Sequence, residues 1–152
     1  MFTTILEQKP LIHHLTNTVT INDCANVTLA VGASPVMAED IREVEEMVRL
    51  AQALVLNIGT LDADMQEAQR LAAREARRLN VPIILDPVGA GATTLRTEFS
   101  KELIDLGCTV IKGNTSEIKT LLGEDGRTKG VDAAGDEIMD RENIRAFARK
   151  QQ

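Results

Sequence analysis

The chain has 152 residues, 43% of them hydrophobic, enough for the core of one domain over residues 1–152; only 2% are aromatic, with no Trp or Tyr, so that core is expected to be aliphatic. A formal net charge of −6, together with the lack of aromatic stacking platforms, argues against a nucleic-acid partner. No run of about 18 apolar residues is present to span a bilayer. The opening MFTTILEQKP lacks the basic and apolar regions of a secretory leader, so a soluble cytoplasmic protein with no membrane partner is expected. Cys24 and Cys108 match no metal-ligand spacing and read as buried, reduced thiols.

In chain order, Leu11–Leu15 is the first predicted strand, followed by a helix from near Thr20 to Gly32 and a short strand at Val36–Met37. A helix from about Asp40 to Ala51, with Ile41, Val44 and Val48 facing inward, leads to a strand at Ala53–Ile58. The clearest helix runs from Leu61 to Leu79, where Leu61, Met65, Ala68, Ala72, Ala76 and Leu79 recur at steps of three or four. Thr60 is placed to cap it, and Arg77 and Arg78 suit its negative end. Strands at Pro82–Leu85 and Thr109–Ile111 flank a helix that follows Thr97 and ends at Gly107, and a further helix runs from Asn114 to Gly123. Alternation of this kind predicts an open, mostly parallel sheet with helices on both faces. Gly123 to Asp140 reads as a glycine-rich loop and Arg141 to Gln152 as a last helix.

Ligands of such sheets bind beyond the carboxyl ends of the strands, so the strand ends hold the candidates. Asn17, in His13-His14-Leu15-Thr16-Asn17, can meet a ligand or simply turn the chain into the next helix. The two histidines point to opposite faces of the strand and do not share a metal. Met37 offers a soft apolar surface, or is ordinary core. Asn57-Ile58-Gly59-Thr60 is a strand-to-helix turn whose free N–H groups can face a ligand. Asp86, at the start of Asp-Pro-Val-Gly-Ala-Gly-Ala, stands where a carboxylate can hold Mg²⁺ or a water, and the loop lacks the lysine of a Walker motif. Asn114 and Glu117 have capping-box spacing, while Glu117 near a helix start with Lys112 also suits a metal–phosphate site.

Six strings, HHLTN at 13–17, GASPVMA at 32–38, LVLNIGTL at 54–61, LDPVGAGAT at 85–93, IKGNTSEI at 111–118 and KGVDA at 129–133, together resemble the hydroxyethylthiazole kinase family of the ribokinase-like superfamily. The resemblance implies a ribokinase-like fold and phosphorylation of the hydroxyl of 4-methyl-5-(2-hydroxyethyl)thiazole by ATP with Mg²⁺, in thiamine salvage. It implies thiazole contacts from Asn17 and Met37, ATP contacts from Lys112 and Asn114, a metal held by Asp86 and Glu117, and a homotrimer. Thr115 stands where alanine is common in the family. The match corresponds to the family's N-terminal part. The expectation is therefore a truncated fold whose catalytic residue and anion hole belong to a second half, with little or no turnover by these residues alone. The alternative is a non-catalytic ligand-binding or oligomerising remnant of the family, and turnover separates the two.

Overall fold

Alternating side chains along adjacent strands sort this sheet into two unequal faces, and that sorting explains the packing. The computed structural model describes residues 2–123; the loop and helix expected from 124 onward, and the 129–133 string, lie outside the described residues. Five parallel strands, β1 (Leu11–Leu15), β2 (Ser34–Val36), β3 (Ala53–Asn57), β4 (Ile83–Asp86) and β5 (Val110–Ile111), lie in the order β2-β1-β3-β4-β5. The α/β sheet is thus present and, among the described residues, wholly parallel.

The register aligns His13 with Leu54 and Leu54 with Ile83, and then Leu15 with Leu56 and Leu56 with Leu85. These side chains form the buried face. Against it pack α3 (Val44–Leu50), α4 (Ala63–Leu79) and α5 (Thr94–Asp105), through Val44, Val48, Ala68, Ala72, Ala76, Phe99 and Leu103. Alanines on α4 let the helix come close to the sheet. The core among the described residues is mostly aliphatic, as expected from the composition, but Phe99 from α5 adds an aromatic ring to it, a correction to the wholly aliphatic expectation. The opposite face, with Val55 and Ile84, is half-buried. There α2 (Ile21–Ala30) reaches His14 through Thr28.

Several local expectations are corrected. Asp62, not Thr60, caps α4: its side chain accepts from the Met65 N–H at 2.7 Å, while Thr60 Oγ1 accepts from the Thr18 N–H at 3.0 Å. The α3 helix starts later than Asp40 because Asp40 forms a turn, accepting from the Arg42 N–H and side chain, and Ile41 is exposed. The α5 helix starts earlier than Thr97, since Thr93 provides the cap. An additional helix, α1 (Phe2–Gln8), precedes β1, and α6 (Thr115–Leu121) follows β5. Leu79 lies at the exposed end of its stripe, whereas Gln69 is fully buried and donates to the Leu15 and Asn57 carbonyls. Both cysteines are free but only partly buried. Burial pushes the Cys108 thiol up to about 12, and it donates to the Leu103 carbonyl. No helix among the described residues is long and apolar enough to cross a membrane.

Both histidines of β1 are buried and neutral in tautomers fixed by their partners. The Ala38 carbonyl can only accept, so His13 Nε2 donates to it at 2.7 Å. The Thr28 hydroxyl spends its proton on the Cys24 carbonyl, so His14 Nε2 donates to Thr28 Oγ1 at 3.2 Å. Desolvation by burial lowers both pKa values from 6.5, against the Ala38 hydrogen bond in His13 and reinforced by His13 in His14. Depressed histidines stabilise the fold fully above 6.5, and that contribution is lost as pH falls and the unfolded chain takes up the protons. Glu75, held at about 2 by Arg78 and Arg49, stays charged throughout this window. Urea unfolding is therefore expected to show a lower midpoint at about pH 5.5 than at about pH 7.5. Equal midpoints would contradict the buried, neutral assignment.

Candidate functional site

Reversal of the strand order around β1 opens a crevice between the carboxyl ends of β1 and β3, the place where open parallel sheets receive ligands. Polar side chains converge there. Asn17, two residues beyond β1, accepts at Oδ1 from the N–H groups of Val19 and Thr20 and from the Thr20 hydroxyl. That is the turn into α2, and it leaves the Asn17 amide free to donate across the crevice to Asn57 Oδ1 at 3.0 Å. Asn57, the last residue of β3, donates in turn to Asp86 Oδ2 at 3.0 Å. Asn57 and Asp86 are register partners, so the last rung of the β3–β4 pair sets this contact. From the end of β5, Lys112 Nζ reaches the same Asp86 oxygen at 3.3 Å. A continuous line of polar contacts thus runs across the carboxyl ends of β1, β3, β4 and β5.

Gly59 lets the two asparagines meet: a Cβ there would come within 3.0 Å of both Asn17 Cβ and Asn57 Oδ1. Its N–H also donates to Asn57 Oδ1 at 2.9 Å.

Glu117 braces the neighbouring loop. The capping box with Asn114 is present: Asn114 Oδ1 accepts from the Glu117 N–H at 2.9 Å, and Glu117 Oε2 accepts from the Asn114 N–H at 2.8 Å. The second carboxylate oxygen accepts from the Gly89 N–H at 2.8 Å, tying the loop after β4 to the start of α6. Gly89 has φ of 78°, a conformation that favours glycine. Both Glu117 oxygens are thereby engaged, and each keeps a lone pair for a further donor or ion.

Met37 stands apart from this line. It lies just past β2 rather than in it, lining a cleft of about 580 Å³ with Ala38, Glu39, Asp40, Ile41, Arg42, Glu43 and Asp64. Hydrogen bonds from Arg42 hold the Asp40 carboxyl well below the usual carboxylate range. His13, through Ala38, fixes one wall of this cleft to β1.

Two residues that hold the site were not singled out from the sequence. Asn57 appeared only as part of a turn, and its bridging position depends on the register of three strands. Arg96 on α5 donates to the carbonyls of Ile58 and Val88, each at 2.7 Å, and of Gly59 at 2.8 Å. One guanidinium thus clamps the loops after β3 and β4. Its only sequence signal is a basic residue in the first turn of a helix, where the dipole disfavours positive charge.

Asp86 and Glu117 are two separate carboxylates, and no group of three or more His, Cys, Asp and Glu side chains among the described residues is arranged to hold a metal. A donor set this sparse fits Mg²⁺, which keeps several waters and binds through one or two carboxylates plus substrate phosphates.

The model of the hydroxyethylthiazole kinase family matches residues 2–152. A hydroxyethylthiazole kinase from Exiguobacterium sibiricum is 65% identical over 149 residues, 97% of this chain and 58% of its own length. One from Methanocella arvoryzae is 58% identical over 89% of the chain and 51% of its own length. The solved structure of hydroxyethylthiazole kinase protein from Pyrococcus horikoshii superposes with a TM-score of 0.79 at 44% identity, covering 99% of this chain and 52% of that one. The chain therefore spans about half the length of the relatives it matches.

The brace at Glu117 has a measurable consequence. Glu117→Gln replaces one acceptor oxygen by an NH₂ group, which must face the N–H of Gly89 or Asn114. Leaving a buried donor unsatisfied costs about 1–3 kcal/mol. Denaturant unfolding of the variant should show a loss of that order; a change below about 0.5 kcal/mol would mean the brace is not formed in solution.

Proposed function

The chain belongs to the hydroxyethylthiazole kinase family, a family of kinases, and from that premise we propose that its strand ends form the substrate and metal–phosphate side of a site that phosphorylates 4-methyl-5-(2-hydroxyethyl)thiazole. The reaction transfers the γ-phosphoryl group of ATP to the thiazole hydroxyl, in the cytoplasm, for thiamine salvage. The observation that carries this reading is the line Asn17–Asn57–Asp86–Lys112, which crosses the crevice at the switch in strand order.

Each residue has a role in the reading. Asn17 and Met37 contact the thiazole. Lys112 brings positive charge to the phosphates of ATP, and Asn114, two residues further on, contacts the nucleotide. Asp86 and Glu117 hold Mg²⁺, Asp86 directly and Glu117 through its remaining lone pairs or a water. Bound Mg²⁺ would supply charge stabilisation for phosphates, the main requirement of phosphoryl transfer along with positioning. The chain's own residues bind, orient and neutralise; the resemblance puts the hydroxyl-activating residue and the anion hole in a part of the family's sequence that these 152 residues do not match.

For the 152-residue chain assayed alone, calorimetry should therefore detect thiazole binding while ATP- and Mg²⁺-dependent phosphorylation stays at or near background. Turnover that Asp86→Asn abolishes would overturn the expectation of inactivity and place a working phosphoryl site in these residues. Absence of binding as well as turnover would count against the substrate assignment.

We also propose a homotrimer. The α2 helix carries no buried residue, yet Val27 and Leu29 on it are 63% and 58% exposed, and Val19 before it is 80% exposed. Exposed apolar side chains on a helix that buries none of its own residues favour burial against another copy, and the family resemblance supplies the number three. Light scattering should give three times the 16.6 kDa chain mass. Val27→Lys should reduce that mass, and a monomeric native protein would remove the assignment.

A further inference from the structure

Asn57 sits between the residue assigned to the thiazole and the residue assigned to the metal, and the chemistry of its neighbours leaves its amide one orientation. The Gly59 N–H can only donate, so the atom facing it at 2.9 Å must be the amide oxygen. Asn17 has committed its own oxygen to two backbone N–H groups and a hydroxyl, so it too presents a donor to Asn57. The Asn57 nitrogen must then face Asp86, whose carboxylate can only accept. Donation therefore runs in one direction, from the backbone at Val19 and Thr20 through Asn17 and Asn57 to Asp86. Lys112 donates to the same Asp86 oxygen from the other side. Among the described residues the second Asp86 oxygen has no hydrogen-bond partner, so these two donors fix the carboxylate by one oxygen and leave the other to face a ligand.

We propose that Asn57 is a positioning residue that couples the thiazole side of the site to the metal–nucleotide side; this rests on the roles proposed above for Asn17 and Asp86. Side chains in one hydrogen-bonded line respond together, because moving one member costs its neighbours their partners. Thiazole that draws on the Asn17 amide tightens or loosens the Asn57 oxygen, and the Asn57 nitrogen passes this to Asp86. The half-buried setting of Asn17, Asn57 and Asp86 keeps water from replacing each contact cheaply. Neither asparagine needs to move a proton; the coupling is one of position.

The two ends of the Asn57 amide can be tested separately. Asn57→Asp keeps an acceptor for Asn17 and Gly59 and replaces the donor to Asp86 by a second carboxylate that repels it, whereas Asn57→Ala removes both contacts without adding charge. Calorimetric titration of 4-methyl-5-(2-hydroxyethyl)thiazole, with and without saturating MgADP, gives a coupling ratio for each protein. The native ratio is expected to be about fivefold or more, the lower end of ordinary coupling between sites. Asn57→Asp should bring the ratio to about 1, and Asn57→Ala should in addition weaken thiazole binding. The double variant Asn57→Asp/Asp86→Asn re-forms the hydrogen bond with donor and acceptor exchanged, and because Asp86→Asn also removes the proposed metal ligand it is read on stability alone. Its melting temperature should recover relative to Asn57→Asp; a melting temperature that does not recover would mean that the Asn57–Asp86 contact the inference needs is not formed in solution. A native ratio kept by Asn57→Asp, or a native ratio near 1 with both ligands bound, would overturn the inference and leave the site assignment standing. Native protein that binds neither ligand would overturn the assignment itself, and the inference with it.

Discussion

Parallel strands that end at one level leave a row of polar backbone groups and side chains with no further rung to pair with, and this structure is organised by how that row is satisfied. The solution is collective. Gln69 takes the carbonyls of Leu15 and Asn57 from below, Arg96 takes those of Ile58, Gly59 and Val88 from α5, and Asn17, Asn57, Asp86 and Lys112 satisfy one another across the top. Each strand end is held by a side chain from another element, so the crevice has little freedom to change shape. Open α/β sheets place ligands here because the backbone diverges; in this chain the divergence is spanned by side-chain amides, not filled by apolar packing.

The core below serves that arrangement. With so few aromatics, the sheet and helices must approach closely to exclude water, and the alanine stripe of α4 allows it. Close approach brings Gln69 within reach of two strand-end carbonyls, a contact that a bulkier helix face would prevent. The buried amide lies directly beneath the crevice, on the helix whose apolar stripe anchors β1, β3 and β4. Packing and site therefore share an element, and a change that lifts α4 from the sheet would also release the floor of the site.

Much of this was legible in the residues. The strands, their parallel pairing and the alanine face of α4 follow from short apolar runs alternating with helical periodicity. The Asn114–Glu117 capping box could be read because its partners are three residues apart, and local spacing is what a sequence displays directly. Choices between neighbouring local partners were harder: Thr60 and Asp62 are both competent caps, and the Thr18 N–H claims one of them. Ile41 fits a helical stripe, but the Asp40 turn takes it out of the helix. What could not be read depends on long-range register. Asn57 becomes a bridge only because β4 pairs with β3 so that Asn57 faces Asp86, and Arg96 becomes a clamp only because α5 returns 38 residues later to the loop after β3. Glu117 shows both cases at once, its bond to Asn114 being local and its bond to Gly89 spanning 28 residues.

Rigidity of this kind bears on the proposed chemistry. Phosphoryl transfer gains most from charges already fixed where they are needed, because dipoles that must reorient during reaction give back much of the stabilisation they provide. Asp86 is held through one oxygen by Asn57, and Glu117 through both oxygens by backbone N–H groups, so both carboxylates are oriented before a ligand arrives. Lys112 behaves differently. It is exposed, and its 3.3 Å contact with Asp86 is long for a charged pair, as for a group that can leave one anion for another. On the proposed reading the carboxylates form the fixed frame, and Lys112 is a charge able to follow the phosphates, moving from Asp86 toward the nucleotide as it binds.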